Sequence, residues 1–86
     1  MNYIHYEYPN LSSESVIEVI LDSPANVVLL DDNNYQRYRL GEPFEYSGGQ
    51  AMTSPCRLSP PYQGKWHLVI DLGGYPGTVN FSVRVI

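Results

Sequence analysis

Two histidines and one cysteine give this 86-residue chain its candidates for a general base and a nucleophile. His67 precedes Asp71 in the segment GKWHLVIDLGG, and a histidine beside a carboxylate is a common catalytic pairing. On a strand the two side chains are about 13 Å apart, because each residue advances the chain by about 3.3 Å. That is too far for a direct hydrogen bond. We therefore expect no catalytic residue, and keep a small hydrolase that uses His5 or His67 as an alternative.

The other motifs that could carry chemistry are weak. Cys56 shares a strand face with Met52 and Leu58, which is typical of a small buried hydrophobic residue rather than of a reactive thiol. A zinc site needs three or four ligands, whereas this chain has only two histidines and one cysteine. The segment LDDNN lacks the calcium-loop pattern, and a helix N-cap explains its acidic residues. SGGQ and GGYPG each lead into a strand, which predicts turns rather than phosphate-binding loops. We expect no metal and no cofactor.

A cluster of arginines and tyrosines is the sharper candidate for a binding site. Arg37, Tyr38 and Arg39 lie on one short predicted helix, and arginines beside aromatic rings suit nucleotides, sugars or acidic segments of a partner. The alternative is that Tyr35 and Tyr38, three residues apart, anchor this helix onto the rest of the fold. The residues that we predict to bind a ligand or partner are Arg37, Tyr38, Arg39, Tyr46, His67, Tyr75 and Arg84.

Alternation of apolar and polar residues predicts the elements that must position these side chains. The predicted strands cover residues 3–8, 15–21, 26–30, 44–47, 51–58, 65–72 and 78–85, and a helix covers 31–42 with Asp31 or Asp32 as N-cap and Gly41 at its end. About seven short strands with one short helix predict an all-β fold. The expected architecture is a single small β-sandwich, or a barrel-like domain, over residues 1–86.

The loop GGYPG predicts that the last two strands form an antiparallel hairpin. With both apolar faces toward the core, His67 would lie opposite Arg84, and Asp71 opposite Asn80. The outer face of the hairpin would then carry polar side chains in water. On this interpretation His67 and Asp71 belong to a solvated sheet face.

Composition limits the classes of function. The nine acidic and five basic residues give a net charge of −4 and form no basic patch, so we expect neither nucleic acid nor an anionic membrane as a partner. No apolar run approaches the roughly 18 residues of a membrane span, and the first residues, MNYIHYEYPN, do not resemble a signal peptide. A single cysteine argues against a disulfide framework. We therefore expect a cytoplasmic domain.

Four segments in order, YIHYEYPNL, VVLLDDNNYQRYRLG, YSGGQAMTSPCRL and GKWHLVIDLGGYPGTVNFSVRVI, carry a resemblance that covers nearly the entire chain. They resemble a family of small bacterial domains of unknown function that occur alone or attached to TIR domains. The resemblance implies an all-β sandwich and a sensing or regulatory module in stress or antiphage signalling. It implies no activity and no functional residue. Because this chain has no TIR domain, it would act alone or through a partner in trans.

Two functions remain open at this point. The first is a non-catalytic module that binds a small, nucleotide-like ligand through the arginines and tyrosines. The second is a protein-interaction or homo-oligomerisation module, since tyrosine is enriched in interfaces and the chain carries eight of them.

Overall fold

The computed structural model describes residues 3–23, 25–51, 54–71 and 80–86. Within them the elements are β1 (Tyr3–Leu11), β2 (Ile17–Leu21), β3 (Ala25–Asp31), α1 (Asp32–Leu40), β4 (Ser47–Ala51), β5 (Cys56–Leu58), β6 (Gly64–Asp71) and β7 (Phe81–Val85). Every strand pairing is antiparallel. The predicted all-β class with about seven strands and one short helix is confirmed.

The strands form two sheets, one with the order β1-β6-β3-β4 and one with the order β5-β2-β7. Alternate residues of both sheets meet in one core, as the alternation predicts. Among the fully buried members are Ile17 and Val19 of β2, Leu29 of β3, and Leu68 and Ile70 of β6. Each such side chain stabilises the fold by roughly 1.5–3 kcal/mol. The core therefore lies between the two sheets of a sandwich.

The predicted hairpin of the last two strands is wrong. β6 lies between β1 and β3 in the four-stranded sheet, whereas β7 pairs with β2 in the other sheet. His67 is accordingly opposite Glu7 and Leu30, and Arg84 is opposite Glu18. Alternation shows which face of a strand is buried but does not select its neighbour, so two apolar faces can also meet across a sandwich. The loop residues 72–79 lie outside the described residues.

Helix α1 has both predicted caps. The Asp31 side chain accepts a hydrogen bond from the backbone N–H of Asn34 at 2.8 Å, which satisfies a free donor of the first turn. Gly41 ends the helix with φ +74°, and the backbone N–H of Glu42 reaches back to the carbonyl of Arg37 at 2.9 Å. These contacts place the helix directly after β3 with no intervening loop.

Helix α1 covers the outer face of the four-stranded sheet. Tyr35 and Tyr38 pack there against Val28, Leu30 and Val69, and all five are buried. The predicted anchoring role of the two tyrosines is therefore confirmed. The sheet is covered on both faces, so β6 is buried continuously from residue 66 to 70 rather than half buried as predicted.

The shorter predicted strands are shifted. The segment 44–47 contributes only its last residue to β4, and the segment 51–58 contributes the end of β4 and the three residues of β5. No helix within the described residues is long and apolar enough to cross a membrane.

Gly48 is the position in β4 where a side chain has no room. Its φ is +104°, and an added Cβ would lie 2.3 Å from the carbonyl oxygen of Val27. Gly48→Ala should lower the free energy of unfolding by about 2–4 kcal/mol, because strain and a backbone clash add together. Gly49→Ala is the matched control, since φ is +144° but no atom lies within 4 Å of the added Cβ. Urea unfolding of both variants checks this, and equal losses would contradict the clash.

Candidate functional site

The two histidines meet on the sheet face beneath α1. In the ladder between β1 and β6, His5 is opposite Val69 and Glu7 is opposite His67. His5 and His67 are therefore diagonal neighbours on the same face, within reach of each other's rings. Nε2 of His5 lies 2.8 Å from Nδ1 of His67. Strand pairing thus joins two side chains that are far apart in the sequence.

Helix α1 extends this contact into a hydrogen-bonded chain. Nε2 of His67 lies 2.8 Å from Oδ1 of Asp32, in the first turn of the helix. The Tyr35 hydroxyl lies 3.2 Å from Nδ1 of His5, and the Tyr3 hydroxyl lies 3.3 Å from that of Tyr35. We call Tyr3, His5, Asp32, Tyr35 and His67 the histidine network.

The chemistry of the donors and acceptors assigns the protons of the histidine network. A carboxylate only accepts, so Nε2–H of His67 donates to Asp32. In a neutral His67, Nδ1 then accepts from Nε2–H of His5, and Nδ1 of His5 accepts from the Tyr35 hydroxyl. The Tyr3 hydroxyl in turn donates to the Tyr35 oxygen. One arrangement with two neutral imidazoles therefore satisfies every member of the chain.

Aromatic stacking also holds Tyr35, His5 and His67 of the histidine network together. The Tyr35 ring lies over both imidazoles, with centroids 4.2 Å from His5 and 4.3 Å from His67 and interplanar angles of 16° and 10°. The guanidinium carbon of Arg39 lies over the Tyr35 ring, 5.9 Å from its centroid. The exposed fraction of His67 is only 3%, whereas His5 is exposed to solvent. The helix is thus held to the sheet by stacking and by hydrogen bonds.

Electrostatics agree with this proton assignment. Partial burial, followed by the proximity of His67, lowers the pKa of His5, which favours a neutral ring. The hydrogen bond from His67, followed by the nearby Lys65 ammonium, lowers the pKa of Asp32 and keeps its carboxylate charged. Burial and the Tyr3 hydroxyl raise the pKa of Tyr35 to about 12. Tyr35 therefore keeps its proton near neutral pH.

All ring nitrogens of the two histidines are engaged in the histidine network. Both ring nitrogens of His5 and both of His67 already have hydrogen-bond partners within the protein. Cys56, the chain's one thiol, lies on β5 in the other sheet, and burial raises its pKa. No group of three or more histidine, cysteine or acidic residues within the described part of the chain is arranged to hold a metal ion. The network therefore positions α1 on the sheet.

A cleft opens at the start of α1, next to this network. Its volume is about 190 Å³. We call it the aromatic cleft. It is lined by Leu29, Asp31, Asn34, Glu45, Tyr46, Ser47, Pro61, Tyr62 and Trp66. Tyr46 and Tyr62 are 54% and 50% exposed, and the ring of Tyr62 lies 4.8 Å from that of Trp66. Large aromatic surfaces are thus available to a ligand.

The aromatic cleft is negatively charged. Burial raises the pKa of Asp31, but hydrogen bonds from the backbone and side chain of Asn34 and from the Tyr62 hydroxyl outweigh it, so the pKa lies below its usual value. Glu45 adds an exposed second carboxylate. Within the described residues neither carboxylate forms an ion pair, and no lysine or arginine lines the cleft.

The whole chain, residues 1–86, matches the family described as "Domain of unknown function (DUF1883)". The chain belongs to the DUF1883 family. This membership agrees with the resemblance to a small domain of unknown function. No match to the chain is found among curated proteins or solved structures. The description of the DUF1883 family names no reaction.

The structure separates the residues that were predicted to bind together. Tyr38 is buried, and its hydroxyl donates to Oδ2 of Asp71 at 2.7 Å. Arg37 is exposed in the last turn of α1. Arg84 lies in the other sheet, where its Nε is 2.6 Å from Oε1 of Glu18, and therefore on the opposite side of the sandwich from α1. The predicted residues do not form one binding surface.

The other predicted site residues have different surroundings. Arg39 lies over the Tyr35 ring, and its Nη1 is 3.4 Å from Oε1 of Gln36. Tyr46 lines the aromatic cleft, and its ring centroid is 5.5 Å from that of Phe44. His67 is buried in the histidine network instead of facing water, because α1 covers its side of the sheet. Tyr75 lies outside the described residues.

Sequence reasoning missed Asp32 as the carboxylate partner of His67 and missed Tyr62 as a wall of the cleft. One signal pointed to the first of these. Val69 stands between His67 and Asp71 on the supposedly solvated face, and an apolar residue there indicates a cover on that side. No comparable signal pointed to Tyr62, because its position depends on how the segment before β6 returns to the helix N-terminus.

Proposed function

We propose that this DUF1883 domain is a non-catalytic binding module and that the aromatic cleft is its recognition site. One observation carries the proposal: two half-exposed tyrosine rings, Tyr46 and Tyr62, stand beside carboxylates that lack an ion pair within the described residues. Binding sites are typically concave, with aromatic walls and a few well-placed polar groups. The cleft has these features. Folding of the domain does not require aromatic rings that are exposed to water.

The rigidity of the cleft supports the proposal. The Tyr62 hydroxyl donates to Oδ2 of Asp31 at 2.8 Å, and the backbone N–H of Glu45 donates to Oδ1 of Asn34 at 2.8 Å. These two bonds tie both walls to the first turn of α1, which the histidine network holds on the sheet. A site that is ordered before binding loses less conformational entropy when a ligand arrives.

The saturated histidines support a non-catalytic role over a hydrolase. A general base must offer a nitrogen to the substrate proton, and each nitrogen of His5 and His67 is already engaged. A substrate would have to break the histidine network to reach one. The same break would loosen the helix that forms the cleft.

We also propose a setting for this module: a sensing or regulatory role in the bacterial cytoplasm, exerted on a TIR-domain protein in trans. The resemblance of the chain to TIR-attached domains is its support. A nucleotide-like signal stays a prediction. Its phosphate would need cations, and Arg37 and Arg39 lie in the last turn of α1, at the other end of the helix from the cleft.

Homo-oligomerisation is the second candidate, and a different surface favours it. β7 pairs only with β2 among the described strands, and Ile20, Val85 and Ile86 are exposed around it. A second copy could extend the sheet at this edge. Native mass spectrometry separates the candidates: a dimer that survives Tyr46→Ala but is lost on Val85→Lys would support the second.

Site-specific photo-cross-linking in the protein's own cells tests the proposed function. A benzophenone amino acid at position 46 should give a discrete cross-linked species that Tyr62→Ala removes, because the cleft loses a wall. The matched control is the same photo-cross-linker at Tyr6, a solvent-exposed tyrosine of β1 that does not line the cleft. No species specific to position 46, or the same species from both positions, would contradict the proposal.

A further inference from the structure

We propose that the aromatic cleft takes the ammonium or guanidinium group of a lysine or arginine side chain, presented by an extended segment of a partner polypeptide. This inference rests on the proposed function, since it names the occupant of the same site. Four features of the described residues carry it: charge, aromatic surface, size and a neighbouring sheet edge.

Charge selects a cation. The carboxylates of Asp31 and Glu45 face the cleft without an ion pair in the described structure. Three of the chain's five cations are paired elsewhere, Arg57 and Arg84 with Glu18 and Lys65 with Glu7 and Asp32. The remaining two are in the last turn of α1. An incoming cation therefore breaks no ion pair of the described structure when it meets these two carboxylates, of which Asp31 also accepts hydrogen bonds from Asn34 and Tyr62.

The aromatic rings select a cation that can lie on a ring face. Tyr46 and Tyr62 expose about half of their surface, and Trp66 also lines the cleft, where its Nε1–H donates to the Tyr62 carbonyl at 3.1 Å. An ammonium or guanidinium within about 6 Å of such a ring is attracted to its negative face. An anion is repelled by the same face and by the carboxylates.

Size limits the occupant to one side chain. The cleft volume is about 190 Å³. Sites for drug-sized ligands, nucleotides included, are larger, at about 300–1,000 Å³. A lysine or arginine side chain with its charged end is therefore a better fit than a nucleotide.

A sheet edge beside the cleft indicates that a polypeptide delivers this side chain. β4 pairs only with β3 among the described strands, so no described strand pairs with its other edge. Ser47, the first residue of β4, lines the cleft, and Gly48 and Gly49 follow without side chains to obstruct a neighbour. An extended segment that pairs with β4 can therefore place one side chain in the cleft.

Titration of the ¹⁵N-labelled full chain followed by NMR tests the inference. The probes are N-acetyl-arginine amide, N-acetyl-lysine amide, the neutral N-acetyl-norleucine amide, uridine monophosphate, and a five-residue peptide, Thr-Val-Arg-Val-Thr, with blocked ends. The two cationic amides should shift the amide signals of Asn34 and Glu45 and the indole signal of Trp66 saturably, whereas norleucine amide should not. The peptide should bind at least about tenfold more tightly, because strand addition contributes backbone hydrogen bonds. It should also shift the amides of Gly48 and Gly49.

Matched variants localise the effect. Tyr46→Leu and Glu45→Gln should each weaken cation binding about threefold or more, as expected for losing one cation–π contact or one partly exposed charge. Tyr6→Leu and Glu14→Gln remove the same groups outside the cleft and should leave binding unchanged. Circular dichroism confirms that all four variants fold.

Three results would overturn the inference. Equal shifts from norleucine amide would show that the site is apolar. If the peptide binds no more tightly than the cationic amides, a partner polypeptide does not present the side chain. If uridine monophosphate alone shifts the cleft signals, the ligand is an anion rather than a cation, and the cleft is still the recognition site. If no probe moves these signals, the inference fails, and the cross-linking at position 46 decides separately whether the proposed function fails with it.

Discussion

Replacing His67 by alanine should lower the free energy of unfolding by about 2–4 kcal/mol, although the residue was predicted to face water. The substitution empties a site that is 3% exposed and removes the hydrogen-bond partner of His5 and of Asp32. A buried cavity and an unpaired donor each cost about 1–3 kcal/mol. Urea unfolding at pH 7.5 measures the loss.

A conservative variant distinguishes the hydrogen bonds from simple packing. His67→Gln can place an amide donor near Asp32 but cannot also accept from His5 at the position of Nδ1. It should recover about half of the loss. In a double-mutant cycle with His5→Ala, the two losses should be non-additive by about 0.5–3 kcal/mol, since the residues share one network. Additive losses, or a loss below about 1 kcal/mol for His67→Ala, would contradict the histidine network.

Stability should fall as the solution is acidified from pH 6.5, the ordinary pKa of histidine. Folding lowers the pKa of His5, so the unfolded chain binds more protons than the folded chain in this range. The stabilising contribution of neutral His5 is complete above pH 6.5. It is lost as the pH falls from the unfolded pKa through the lower folded pKa. The slope for one proton is at most about 1.4 kcal/mol per pH unit.

Partial burial is the first cause of the lowered pKa of His5, and the direction of the hydrogen bonds favours the neutral ring as well. An added proton on Nδ1 of His5 turns that nitrogen from an acceptor into a donor, and the Tyr35 hydroxyl then loses its acceptor there. His5→Gln should remove the part of the pH dependence that begins at pH 6.5 and comes from this imidazole. Unfolding midpoints at several pH values check this. An unchanged profile in the variant would contradict the assignment.

Carboxylates act in a second, more acidic range. The pKa of Asp32 is lowered by its hydrogen bond with His67, and that of Asp31 by the bonds that outweigh its burial. A carboxylate with a lowered pKa stabilises the fold above its unfolded pKa, and that stabilisation disappears as the pH falls through the folded value. A further loss of stability below about pH 4 is therefore expected, and His5→Gln should leave it in place.

Local patterns in the sequence predicted the local structure. Ile17, Val19 and Leu21 recur at every second position and are buried, and the caps of α1 at Asp31 and Gly41 follow from side-chain and backbone chemistry within one turn. The anchoring of the helix by Tyr35 and Tyr38 follows from their spacing. These features depend on residues within a few positions of each other.

Contacts between distant segments could not be predicted in the same way. The period-two pattern of residues 65–72 and 78–85 shows which side chains share a face, but many neighbours satisfy it. The histidine network requires that β1 and β6 pair in one particular register and that α1 crosses above them. The aromatic cleft requires in addition that Tyr62 returns to Asp31. No single segment encodes these relations.

We propose that the histidine network holds α1 and that the aromatic cleft binds a partner. Long-range ¹H–¹⁵N NMR of the imidazole nitrogens at pH 7.5, with and without N-acetyl-arginine amide, tests it most directly. We predict two neutral rings protonated at Nε2 and bare at Nδ1, unchanged when the probe saturates the cleft signals. A charged His5 or His67, rapid exchange between tautomers, or nitrogen shifts that follow the probe would contradict the claim and return the histidines to the recognition site.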